Sequence, residues 1–134
     1  MSARRTLAAV VAAMVTVLPA GCAPADDTEE LEAHLTIGVI KDRDAERETK
    51  VLICPGRTSK ERDICAALDV VAPKVFRPVS PERVCTAIYG GPATATVRGT
   101  FEDDLVDASF SQQNGCELGR WKQMVPVLKA LKLL

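Results

Sequence analysis

A single histidine and five aromatic residues are all the sequence offers of the side chains that dominate catalysis and stacking. His34 alone leaves Cys/His zinc patterns and Ser/His or Cys/His pairs short of parts, so no metal site and no cofactor is expected. Trp121, Tyr89 and three phenylalanines are too few for a platform that stacks bases or sugars. Charge is equally spare. Seventeen cations and 18 anions, interspersed, give a formal charge of −1 and no electrostatic footprint for nucleic acid. With no nucleophile–base pair to assemble, the expectation is a protein that is not an enzyme. The 134 residues fit one domain.

Long hydrophobic runs are missing too. The longest, Leu7 to Leu18, is twelve residues, about 18 Å of helix and too short for a bilayer. Arg4 and Arg5 precede it and Pro19, Ala20 and Gly21 follow, the layout of an export signal. The acidic stretch Asp26 to Glu32 directly afterwards is at odds with a buried N-terminal helix. Ala23-Pro24-Ala25 is a small-x-small site that makes residues 1–25 the signal peptide and releases a chain beginning at Asp26. Alternatively, Leu18-Pro19-Ala20-Gly21-Cys22 resembles a bacterial lipobox, with Pro19 where a branched apolar residue is usual. Cleavage before Cys22 would leave that cysteine acylated and the protein anchored in the cell envelope by lipid alone. Either cut removes Arg4 and Arg5, leaving 15 cations against 18 anions, a charge of −3. The expected location is extracellular, or the cell envelope if Cys22 carries lipid.

Both cuts leave Cys54, Cys65, Cys85 and Cys116 in the folded domain. An even count in an exported chain of about a hundred residues reads as two disulfides. No two of these cysteines lie two to four residues apart, which is the spacing zinc sites need. Three pairings are open. Cys54–Cys65 with Cys85–Cys116 is the local one, each bridge contributing roughly 3–4 kcal/mol by loop entropy.

Residues 26–32 read as a solvated acidic lead-in to a domain over 33–134. Ala33 to Ile40 alternates, with Leu35, Ile37 and Val39 on one face of a half-buried strand. The charged stretch Lys41 to Glu46 connects it to a second strand, Glu48 to Cys54. Thr58-Ser59-Lys60-Glu61 has the form of a capping box, Ile64, Leu68 and Val71 follow at helical spacing, and Pro73 stops the helix. Pro73 to Pro81 holds three prolines and reads as a stiffened loop. Arg83 to Tyr89 is an extended segment ended by Gly90-Gly91-Pro92. Thr94 to Phe101 and Leu105 to Ser111 form a hairpin around Glu102-Asp103-Asp104. Asn114-Gly115 is a turn signal. Pro126 reads as the first residue of a short helix using Val127, Leu128, Leu131 and Leu134, with Lys129 and Lys132 outward. The sum is α+β: about five antiparallel strands with one or two helices on one face.

Val84-Cys85-Thr86-Ala87-Ile88-Tyr89 is unusual for a purely structural loop, because it follows a proline-rich stretch and carries a disulfide cysteine. An exported domain without catalytic residues that holds an extended segment rigid suits another protein's cleft. Proteases bind substrates as extended strands through the main chain.

The same residues resemble the bacterial subtilisin inhibitor family. The resemblance runs from about Leu35 to Trp121 and rests on several motifs. These are Leu-Thr-Ile-Gly at 35–38, Cys54-Pro55, Cys65-Ala66-Ala67-Leu68 and Cys85-Thr86-Ala87-Ile88-Tyr89. Ala95-Thr96-Val97-Arg98-Gly99-Thr100-Phe101, Phe110-Ser111 and Asn114-Gly115-Cys116-Glu117 continue it. The family implies a five-stranded antiparallel sheet, sequential disulfides and usually a homodimer. It also implies a reactive bond between Ala87 and Ile88, with Ala87 entering the pocket of an extracellular serine protease. Val84 and Thr86 would fill subsites before it, beside Cys85, and Tyr89 would lie beyond the bond. Asn114 matches an asparagine that braces the loop. Ala87 is small and uncharged, which fits a subtilisin-like or elastase-like pocket and not the aspartate of a trypsin-type one. Thr86 stands where proline is common in the family, and Trp121 to Leu134 replaces a short last strand.

Two expectations follow. A substrate-like inhibitor needs 84–89 protruding into solvent. A non-inhibitory surface or binding protein that keeps only the scaffold, lipid-anchored through Cys22, expects 84–89 buried or flat in the sheet. Taken singly, Tyr89 reads as a core residue.

Overall fold

Alternation at Leu35, Ile37 and Val39 builds the central strand of the protein. The structure, a computed structural model, describes Gly21 and residues 31–134. The expected signal peptide, the lipobox Cys22 and the acidic residues 26–30 lie outside the described residues. β1 (Ala33–Ile40) pairs antiparallel with β2 (Glu48–Cys54) on one side and β3 (Thr94–Phe101) on the other. β4 (Asp104–Phe110) completes the order β2-β1-β3-β4. The sheet has four strands where about five are expected. Residues 83–89 are the missing one: they run outside any ladder.

Period two sorts the strands cleanly. Leu35, Ile37, Val39, Leu52, Val97 and Phe110 point inward and are essentially inaccessible. The outer face carries His34, Thr36, Val51, Ile53, Thr100 and Leu105 at neighbouring register positions. One ion pair, Arg98 to Asp107 at 3.1 Å, crosses it. No polar or charged side chain is buried among the described residues.

Two helices cover the inner face. α1 (Ser59–Val71) starts at the expected capping box. The Thr58 hydroxyl accepts the Glu61 N–H at 3.2 Å, and the Glu61 carboxylate accepts the N–H groups of Arg57 and Thr58 at 2.8 and 2.9 Å. Ile64, Cys65 and Leu68 supply its buried stripe, and Cys54–Cys65 ties it to the end of β2. A 3-10 turn over Lys74–Phe76 follows, burying Val75 and setting Phe76 edge-on to Phe101 at 5.6 Å.

The C-terminal region departs from the sequence reading. Instead of a short helix opening at Pro126, α2 runs from Gly115 to Ala130 with Pro126 inside it. A proline there removes one main-chain hydrogen bond and crowds the preceding turn. The helix continues because Trp121 and Met124 before the proline, and Val127 and Leu128 after it, are all buried in the same core. Its end is a Schellman motif: Lys132 takes φ 58°, and the N–H groups of Lys132 and Leu133 reach back to the carbonyls of Lys129 and Leu128. That left-handed step rotates Leu133 into the core and leaves the expected Leu134 exposed.

Candidate functional site

Residues 84–89 stand in solvent between two tethered flanks. Val84 is 95% exposed, Ile88 52% and Tyr89 60%, while Cys85 is half-buried under its bridge. Thr86 and Ala87 are exposed as well. Tyr89 is therefore not a core residue. It borders a shallow pocket with Arg43, Gly91 and Gln112.

Three contacts hold the segment. Cys85 is bonded to Cys116 in the first turn of α2, with Cα atoms 5.5 Å apart. One residue on, the Thr86 carbonyl accepts the N–H of Gly115 at 2.9 Å. Beyond the exposed residues, the Gly90 N–H donates to the Gln112 carbonyl at 2.8 Å. Between these ties, Ala87, Ile88 and Tyr89 make no main-chain hydrogen bond to the rest of the backbone among the described residues. Their N–H and C=O groups are free to pair with an added strand, the main requirement for binding in a protease cleft.

The helix start supplies the inner wall. Asn114 is the N-cap of α2, and its side-chain oxygen accepts the Glu117 N–H at 3.0 Å. Asn114, the expected brace, makes no hydrogen bond to the segment among the described residues: it caps the helix, and its neighbour Gly115 makes the bond to Thr86. A Cβ on Gly115 would sit 2.0 Å from the Thr86 hydroxyl, so any larger residue there displaces that side chain. Asn114-x-x-Glu117 repeats the pattern of Thr58-x-x-Glu61, the signal that marks this helix start in the sequence.

The proline-rich stretch before the segment is pinned by Arg120, which sequence reasoning missed. Its guanidinium donates to the Val75 carbonyl at 3.1 and 3.3 Å and to the Ser109 carbonyl at 3.1 Å. It pairs with Glu117 at 2.8 Å and lies over the Phe110 ring, 4.7 Å from the centroid. One side chain thereby joins α2, β4 and the 3-10 turn. An exposed arginine and a structural one look alike in sequence. Closer to the segment, the Arg83 N–H donates to the Ser80 carbonyl at 3.0 Å. The Ser80 hydroxyl donates to Glu82 and holds its carboxyl below the usual range.

Among the described residues no group of three His, Cys, Asp or Glu side chains converges. The site's chemistry is that of a presented strand. No family model, curated protein or solved structure matches the chain.

Proposed function

We propose that the chain is a secreted, substrate-like inhibitor of an extracellular serine protease of subtilisin or elastase type, with Ala87–Ile88 as its reactive bond. One observation carries the reading: an exposed segment outside every strand whose central main chain is unpaired while both flanks are tied. The scaffold-only alternative expects that segment buried or flat in the sheet, whereas residues 84–89 are exposed and outside every ladder. The resemblance to the subtilisin inhibitor family supplies the position of the bond.

Inhibition follows from where the ties fall. Cys85 and Thr86 hold the acyl side of the bond, and Gly90 holds the amine side. The segment loses little freedom on docking, so more of its contact energy appears as affinity. If the protease cuts after Ala87, the acyl group stays on the protease and the Ile88 amine stays in place beside it. That proximity favours re-formation of the peptide bond over release. The methyl of Ala87 fills a small or shallow pocket. Val84 and Thr86 contact the cleft before the bond, and Tyr89 after it.

The outer face of the sheet, with Val51, Ile53 and Leu105 exposed, is the proposed seat for a second copy of the chain. Sedimentation equilibrium reads that directly, and a monomer at high micromolar concentration would reject it.

The inhibitory reading is tested by titrating the oxidised protein against subtilisin, pancreatic elastase and trypsin, alongside Ala87→Lys. Expected is tight inhibition of subtilisin or elastase by the parent and gained inhibition of trypsin by the variant. Inhibition unchanged by Ala87→Lys would move the reactive site elsewhere. No inhibition by either protein, with both disulfides formed, would reject the reading for these enzymes.

A further inference from the structure

Next to the loop, residues 74–83 and the first turns of α2 enclose an open groove of about 490 Å³. Every charged residue that lines it is a cation: Lys74, Arg77, Arg83 and Arg120. Arg120 is engaged by Glu117 and by main-chain carbonyls. Lys74, Arg77 and Arg83 form no ion pair among the described residues. Glu82, beside Arg83 and hydrogen-bonded to Ser80 of the groove wall, offsets one of these charges, so a net positive charge of about two faces one opening in a chain whose formal charge is −1. Arg83 directly precedes Val84, and Cys116 in the groove wall is bonded to Cys85. Groove and loop form one continuous surface on the N-terminal side of the Ala87–Ile88 bond.

We infer that this groove is a second docking surface, for an acidic rim of the target protease beside the subsites that take Val84 to Thr86. The inference rests on the protease reading of the loop and adds the charge of the partner. Exposed ion pairs add little to equilibrium affinity. Their effect is on encounter: a local positive field steers an acidic surface, accelerates association and fades as salt screens it. The sign is diagnostic, because the net charge of the chain alone would slow approach to an acidic partner.

Succinylation of its surface lysines makes a given protease more acidic without changing its fold class. For whichever of subtilisin and pancreatic elastase the oxidised full chain inhibits, association with the succinylated form is expected to be about tenfold faster at low salt. That advantage disappears at about 0.5 M salt. The triple variant Lys74→Glu, Arg77→Glu, Arg83→Glu reverses the preference and leaves the dissociation rate within about twofold. Without any protease, a hexaglutamate peptide is expected to shift the amide signals of Arg83, Gly115 and Gly119 in the full chain, and not in the triple variant. Slower association of the parent with the succinylated protease overturns the inference, as do peptide shifts elsewhere or nowhere. Retained inhibition with no peptide shift defeats the groove alone. Peptide shifts at the groove with neither protease inhibited defeat the loop reading and, with it, the protease as occupant.

Discussion

The two disulfides do the same covalent job in two different settings. Each ties a non-helical segment to a helix, Cys54 to the middle of α1 and Cys85 to the first turn of α2. Cys54 and Cys65 are 4% and 6% exposed, and their bridge is part of the core that β2 and α1 share. Cys85 and Cys116 are only half-buried, and their bridge holds a segment that has no ladder and no core of its own. At the first bridge packing would keep the chain near its place without the bond. At the second, little besides the bond and two main-chain hydrogen bonds keeps residues 84–89 in one shape. Both bridges stabilise the fold by closing loops; the second also defines a conformation in water.

Removing each bridge should separate these roles. Cys85→Ala/Cys116→Ala is expected to weaken inhibition at least about a hundredfold, since the loop then orders only on binding, and to turn the loop into a rapidly cut substrate. Cys54→Ala/Cys65→Ala is expected to lower stability by about 3–5 kcal/mol. Below its melting temperature it should keep inhibition near the parent's. Urea unfolding is expected to show comparable losses in both variants, inhibition constants should separate them, and an equal loss of inhibition in both would erase the distinction.

Next in size is the far end of α2, which belongs to the core and not to the loop. Leu133→Ala is expected to cost about 2–5 kcal/mol, and Leu134→Ala less than about 0.5 kcal/mol, with inhibition by the folded protein unchanged in both. Equal losses would mean that the left-handed step at Lys132 does not choose between them.

The loop's inner wall gives a smaller effect. Gly115→Ala pushes a methyl against the Thr86 hydroxyl and is expected to weaken inhibition about tenfold, the size of a modest overpacking penalty. Thr86→Ala added to it should restore most of that loss. Absence of rescue in the inhibition assay would show that the contact is not what positions the loop.

Smallest is the response to acid. The main-chain N–H groups of Thr58 and Arg57 hold the Glu61 carboxyl below the usual range, and the Ser80 hydroxyl does the same for Glu82. Each depressed value means stability that is present above the ordinary carboxylate pKa and lost as pH falls through the folded-state value. Thermal unfolding between pH 6 and pH 3 should show less loss in Glu61→Gln, which caps without a charge, than in the parent. Inhibition above pH 5 should be indifferent to Glu82→Gln.

Much of this contrast is legible in the residues. Period two fixes β1, the apolar run Val51 to Ile53 marks β2, the capping box fixes the start of α1, and cysteine spacing favours the local pairing. The start of α2 carries a matching signal in Asn114-x-x-Glu117, but the helix behind it is harder to read. Gly115, Gly119 and Pro126 are weak or disruptive helix residues, and only burial of Trp121, Met124, Val127 and Leu128 outweighs them. Residues 83–89 have the composition of a strand, but a strand needs a partner, and no local pattern shows that the sheet ends at β4. Arg120 and the groove cations escape the sequence for the same reason: their roles depend on elements brought together by the fold.

The proposed inhibition requires that the tethered segment 84–89 be cut and resealed at one bond, Ala87–Ile88. The most direct measurement is prolonged incubation of the oxidised protein with a catalytic amount of the protease it inhibits, followed by N-terminal sequencing of the products. Expected is one new terminus, Ile88, on a product held together by Cys85–Cys116 that still inhibits, at an equilibrium mixture with intact protein. Cleavage at another bond, or progressive degradation with loss of inhibition, would contradict it.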